Sequence, residues 1–129
     1  MRGLLIILLC WVFNAHADVV RSQLTSEIQN REPVDDLQDE VVGRPGQITT
    51  VMFFTHIENR MNQQVIHKWL YQGEVKAEVL FDIGSNNWRT WSSKNLLPKW
   101  QGDWQVQVWV GEKMLVSEEF KFTLAMDNY

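Results

Sequence analysis

The residues of this sequence that could do chemistry gather in a few short stretches. Trp88 to Trp104 reads W-R-T-W-S-S-K-N-L-L-P-K-W-Q-G-D-W and holds four indoles, one guanidinium and a Ser-Ser-Lys run. Arg89, next to two indoles, can stack on a ring and present its planar fork to a carboxylate, phosphate or sugar hydroxyl; Trp91 and Trp100 can serve as platforms for a sugar ring. The same atoms have a plainer use. The Arg89 stem can cover Trp91 while its head pairs with Glu78 or Asp82 across strands, and the two indoles can close the ends of a core.

Ser92, Ser93 and Lys94 invite a Ser-Lys nucleophile, since residues 92 and 94 share a face of an extended segment. The supporting pattern is missing: there is no G-x-S-x-G elbow and no S-x-x-K, and hydroxyls beside a turn commonly bond the backbone. Beyond residue 17 the only histidines are His56 and His67, with no cysteine, so no metal-ligand spacing exists and no cofactor is expected. Glycine-rich phosphate loops are absent as well. His67 with Trp69 is the remaining candidate, and its environment depends on strand register. A strict two-residue turn at Gln72-Gly73 puts His67 opposite Glu78 on a polar stripe, whereas a one-residue bulge turns His67 and Trp69 into the core.

These residues must be positioned by a fold, and the compartment comes first. Met1-Arg2 followed by the apolar run Gly3 to Phe13 and by Ala15-His16-Ala17 reads as a signal peptide over residues 1–17, with an uncleaved anchor as the alternative. Export implies a periplasmic or secreted protein with no transmembrane segment after cleavage. Removing the leader takes away Cys10, so the remaining chain has no disulfide to rely on and must be held by packing of its aromatic residues. It also takes away Arg2, leaving 11 basic and 16 acidic side chains, a balance that argues against a nucleic-acid partner.

Residues 18–47 form an acidic lead-in. Val20, Leu24 and Ile28 predict a first strand over 19–28, and Pro33 to Val41 reads either as a short helix or as a solvated loop. From Ile48 to Tyr129 the period is two. Strands are predicted over 48–57, 64–71, 74–83, 88–93, 104–110 and 114–124, with Val75, Ala77, Val79, Phe81 and Ile83 on the dry face of the third of these. Lys94 to Asp103 is long enough to cross between sheets, and Trp104 opens the penultimate strand as an aromatic does at the corner of an immunoglobulin-like domain. About seven antiparallel strands thus imply an all-β, immunoglobulin-like sandwich whose layers are pressed together by Trp69, Trp88 and Trp104.

Several blocks, taken together, resemble the bacterial domain-of-unknown-function family 2914. They are Ile28 to Leu37, Phe53-Phe54-Thr55, His67-Lys68-Trp69-x-Tyr71-x-Gly73-Glu74-Val75, Trp88 to Lys94, and Gly102-x-Trp104-x-Val106. Lys68 stands where relatives often carry arginine, which weakens any bidentate role there. The resemblance implies an exported or membrane-attached β-rich domain with no known activity. The residues therefore leave three functions open: a non-catalytic interaction module that binds a protein or another envelope component through one sheet face or edge, a glycan or peptidoglycan binder using Arg89, Trp91 and Trp100, and a hydrolase using Ser92 or His67. The candidate binding set is His67, Trp69, Glu78, Arg89, Trp91, Lys94 and Trp100.

Overall fold

The computed structural model describes residues 18–126, and the expected signal peptide lies outside them. Among the described residues the elements are β1 (Val19–Thr25), β2 (Ile28–Gln29), β3 (Glu32–Pro33), β4 (Glu40–Gly43), β5 (Thr49–Glu58), β6 (Gln64–Tyr71), β7 (Glu74–Asp82), β8 (Asn87–Leu96), a 3-10 turn (Pro98–Trp100), β9 (Gly102–Val110) and β10 (Lys113–Leu124). That makes ten strands rather than seven. Three of the additions, β2, β3 and β4, come from the acidic lead-in, where the helix of the alternative reading does not form. Pro33 closes a strand pair there, and the Asp35 carboxylate accepts hydrogen bonds from the Thr25 and Ser26 hydroxyls and the Ser26 amide at 2.6–2.8 Å. Burial opposes the charge on Asp35, but these three donors outweigh it and hold the carboxyl below its usual range.

The sheets run β1-β5-β8 and β4-β10-β9-β6-β7, with β2-β3 as a separate hairpin. In immunoglobulin lettering the first sheet is A-B-E and the second A′-G-F-C-C′, and the chain changes sheet between β1 and β4 and again after β4, β5, β7 and β8. β4 pairs in parallel with β10, so residues 18–47 supply a strand to each sheet.

Alternation sets the core. Val51, Phe53 and Ile57 on β5 face Val65 and Trp69 on β6, Trp104, Val106 and Val108 on β9, and Phe120 and Phe122 on β10, all buried. Trp69 occupies the strand-C position at which immunoglobulin domains bury a tryptophan, and Val106 stands where their second cysteine follows two residues after the corner aromatic. Apolar volume replaces the disulfide, each such side chain contributing about 1.5–3 kcal/mol on burial. Trp104 also makes the corner itself. Its Nε1 donates to the Trp100 carbonyl at 2.9 Å, tying β9 to the 3-10 turn.

Some periodic expectations fail locally, each for a visible reason. A register shift between Val19 and Arg21 leaves Val20 exposed while Val19 packs on the core. Ile48 lies ahead of β5 and is exposed. β8 continues through Leu96, so the first three residues of the expected crossover are strand. Trp88, expected to clamp the layers, is only half-buried at their end and packs edge-on beside Gly84, where an added Cβ would lie 2.8 Å from its ring.

Candidate functional site

The β6-β7 hairpin combines both registers considered for it. Gln72 and Gly73 have φ of 51° and 83° and form a two-residue turn, so Tyr71 faces Glu74 and Leu70 faces Val75. A shift between Trp69 and Leu70 then places Trp69 opposite Ala77, Lys68 opposite Glu78 and His67 opposite Val79. The His67–Glu78 pairing does not exist. Val75 is expelled to solvent by the same bulge, while His67 and Trp69 turn inward and are completely buried.

In the interior His67 sits between the edges of Phe53 and Phe81, ring centroids 4.9 and 4.7 Å away. Its Nε2 is 3.1 Å from Thr55 Oγ1 and its Nδ1 2.7 Å from Ser92 Oγ. The Thr55 hydroxyl donates to the Thr90 carbonyl at 3.0 Å, so the ring must supply the proton to Thr55. Ser92 Oγ accepts from Trp69 Nε1 at 3.0 Å, and its own proton is left for His67 Nδ1. The tautomer follows from this count: neutral imidazole with hydrogen on Nε2. Desolvation pushes the His67 pKa down to about 3, which keeps it neutral. The relay from Trp69 to the Thr90 carbonyl joins β6 to β8 and β5 and leaves no polar atom of its side chains unmatched.

The other candidates occupy three separate places. Glu78 is exposed on the outer face of the five-stranded sheet, beside Lys68, whose Nζ lies 4.0 Å over Trp109. Lys94 and Trp100 meet at one end of the sandwich, the ammonium 5.3 Å from the ring, and Trp100 packs 6.2 Å from Trp104. Trp100 is therefore committed to the corner. It does not join Trp91 in a common platform.

Arg89 and Trp91 do share a surface, the outer face of the three-stranded sheet. Arg21, His56 and Arg89 line up across β1, β5 and β8, and Trp91 stands opposite the buried Phe54. The β2-β3 hairpin folds back over this face. Glu32 accepts from Arg21 Nη2 at 2.8 and 2.9 Å and lies 3.2 Å from Arg89 Nε, so one carboxylate bridges the two outer strands across β5. Arg89 thus pairs with the lead-in, not with Glu78 or Asp82. Arg21's hydrogen bond, opposed by slight desolvation and helped by the charges of Arg21, Arg89 and His56, holds the Glu32 carboxyl below its usual range. Arg21 also caps Phe54, its guanidinium 4.8 Å from the ring centroid.

Beside this face, between the edge strands β7 and β8, runs an open groove of about 400 Å³ lined by Arg31, Leu80, Phe81, Asp82 and the β8 segment Trp88 to Trp91. It is the place where sequence-derived candidates converge with cationic and aromatic chemistry at the surface. A cleft of about 520 Å³ elsewhere is lined by Asp39, Asp103, Glu119 and Lys121 among others, and it holds none of the seven candidates. Arg31, Glu32, Thr55, Thr90 and Trp109 were not singled out from the sequence. Period two alone points Trp109 outward, whereas Glu32 and Arg31 reach their positions through a hairpin that no periodicity announces.

No curated protein matches the chain in sequence. Among solved structures, an immunoglobulin-like protein from Pseudomonas aeruginosa is similar at 13% identity and TM-score 0.46, covering 84% of this chain and 98% of that one. A beta-glucosidase from Listeria innocua, in complex with glucose, is similar at 11% identity and TM-score 0.40, over 80% of this chain and 16% of the enzyme. From the turn ahead of β6 to within β10, residues 62–123 match the model of a protein family of unknown function, DUF2914, and this match supports the resemblance carried by the sequence blocks.

Proposed function

We propose that this chain is an exported, non-catalytic binding module of the cell envelope that recognises another envelope protein. The observation that carries the reading is where the reactive groups have gone. Ser92 and His67, the pair a hydrolase would use, are consumed in a closed relay inside the sandwich, with every donor matched and aromatic rings on both sides of the imidazole. A substrate carbonyl has no route to Ser92 Oγ without parting the sheets. The cations and indole left at the surface, Arg31, Arg89 and Trp91, have the chemistry of recognition.

A photo-crosslinking side chain placed at residue 91 or 93 of the full chain, expressed in a bacterial host with its leader, tests this. An adduct with an envelope protein, formed from residue 91 and not from residue 105 on the other sheet, is the expected result. Retention of the chain in the cytoplasm, or adducts that do not depend on position, would overturn the reading.

Glycan binding is the second reading, and the adjacency of Arg89 and Trp91 is what favours it. It loses Trp100 to the corner. Titration of envelope polysaccharides against intrinsic tryptophan fluorescence separates the two readings, and a flat response across the panel removes this one.

A further inference from the structure

We propose that the free edge of β8 takes up an extended acidic segment of a partner protein as an added strand. The inference rests on the binding-module reading and names the chemistry of the partner. β8 has β5 on one side only, and its other edge faces the groove.

Sheet edges are normally guarded by bulges, short strands or charges. The edges of this molecule differ in that respect. β1 carries a register shift at Val19/Arg21, β4 is four residues long, and β7 bulges at Lys76, opposite the Trp69/Leu70 step of β6, and carries charges at Glu74, Lys76, Glu78 and Asp82. β8 carries only two charges, Arg89 and Lys94, and pairs with β5 over ten consecutive residues with no break, leaving an opposite edge that is long and regular, roughly 33 Å at 3.3 Å per residue. Unpaired backbone donors and acceptors along such an edge are a template for one more strand.

The groove supplies the selectivity. Trp88, Trp91 and the exposed Leu80 offer apolar walls for alternate side chains of an incoming strand. Two guanidiniums, Arg31 and Arg89, face one carboxylate, Asp82, in a chain of net charge −4. Arg89 meets Glu32 through Nε, and among the described residues Arg31 has no ion pair. A carboxylate is the complementary group, and a planar fork binds it best.

Arg31 carries a second mark. With Asn30 it forms the two-residue β2-β3 turn, at φ of 52° and 63°, a backbone region where glycine is the comfortable occupant and a long side chain is strained. A strained residue whose side chain lines the groove is accounted for if that side chain holds a ligand.

The test is selection of a random 12-residue peptide display library on the full chain, followed by hydrogen exchange with the enriched peptides. Enriched sequences are expected to alternate β-branched residues with Asp or Glu and to slow exchange of edge amides within residues 88–95. Arg31→Gly is expected to weaken binding tenfold or more while the melting temperature holds or rises, because glycine relieves the turn; Arg89→Lys should weaken binding as well. Enrichment without acidic residues, protection confined to other strands, or undiminished binding by Arg31→Gly would overturn the proposal. So would oligogalacturonate protecting the same amides when no peptide does. If no peptide is enriched but the residue-91 crosslink to an envelope protein persists, strand addition fails and the binding-module reading stands; loss of the crosslink itself removes that reading.

Discussion

His67 Nδ1 lies 2.7 Å from the Ser92 hydroxyl at the centre of the sandwich, with His67 on the five-stranded sheet and Ser92 on the three-stranded one. The bond resembles half of a catalytic dyad in its distance, yet its role here is to join two layers that no disulfide connects.

The relay makes the fold sensitive to acid. Burial holds His67 at about 3 against an unfolded value near 6.5, so below pH 6.5 the unfolded chain takes a proton that the folded chain refuses. The contribution is complete above pH 6.5 and is lost progressively as pH falls toward 3. It amounts to on the order of 5 kcal/mol at 1.36 kcal/mol per unit. Urea unfolding across pH 7.5 to 4, with the His67 ring resonances followed by NMR, checks it. Ring shifts that titrate near pH 6.5 in the folded protein would contradict the buried neutral imidazole.

Ser92→Ala removes the acceptor of Trp69 Nε1 and the donor to His67 Nδ1 in one step. Two orphaned buried groups should lower stability by about 2–4 kcal/mol, read by denaturant titration. Background rates on ester and glycoside substrates should be identical for the two proteins. A catalytic difference with little change in stability would reverse the assignment.

Trp104→Phe keeps an aromatic ring against Phe120, whose centroid is 6.1 Å away, but deletes the donor to the Trp100 carbonyl. The expected loss is about 1–3 kcal/mol, combining a broken hydrogen bond with a smaller ring. Equal midpoints for wild type and variant would show that the corner bond contributes nothing.

Glu32→Gln weakens the bridge between Arg21 and Arg89 that lies over β5. The global melting temperature should barely move, because the carboxylate is solvent-exposed and exposed ion pairs stabilise little. Amides of residues 28–33 should exchange faster. Unchanged exchange there would mean that the hairpin is held by its other contacts, such as the Val34 amide to the Glu27 carbonyl at 3.0 Å.

What the sequence determined by itself was whatever depends on local alternation. Strands β6 and β9, the inward set Trp104, Val106 and Val108, the Gln72-Gly73 turn and the corner role of Trp104 all follow from period two and from residues suited to positive φ. Only the tertiary structure decided register and long-range pairing. A single bulge between Trp69 and Leu70 sends His67 and Trp69 inward, and a side-chain period of two means that one extra residue reverses every assignment beyond it. The partner of Arg89 was equally hidden, because Glu32 is 57 positions earlier and reaches it through a two-residue hairpin strand too short to leave a periodic trace. The relay needed the sheets in contact: Thr55, His67 and Ser92 are polar residues at inward positions on three strands, and nothing within any one strand states that their hydrogen bonds close on one another.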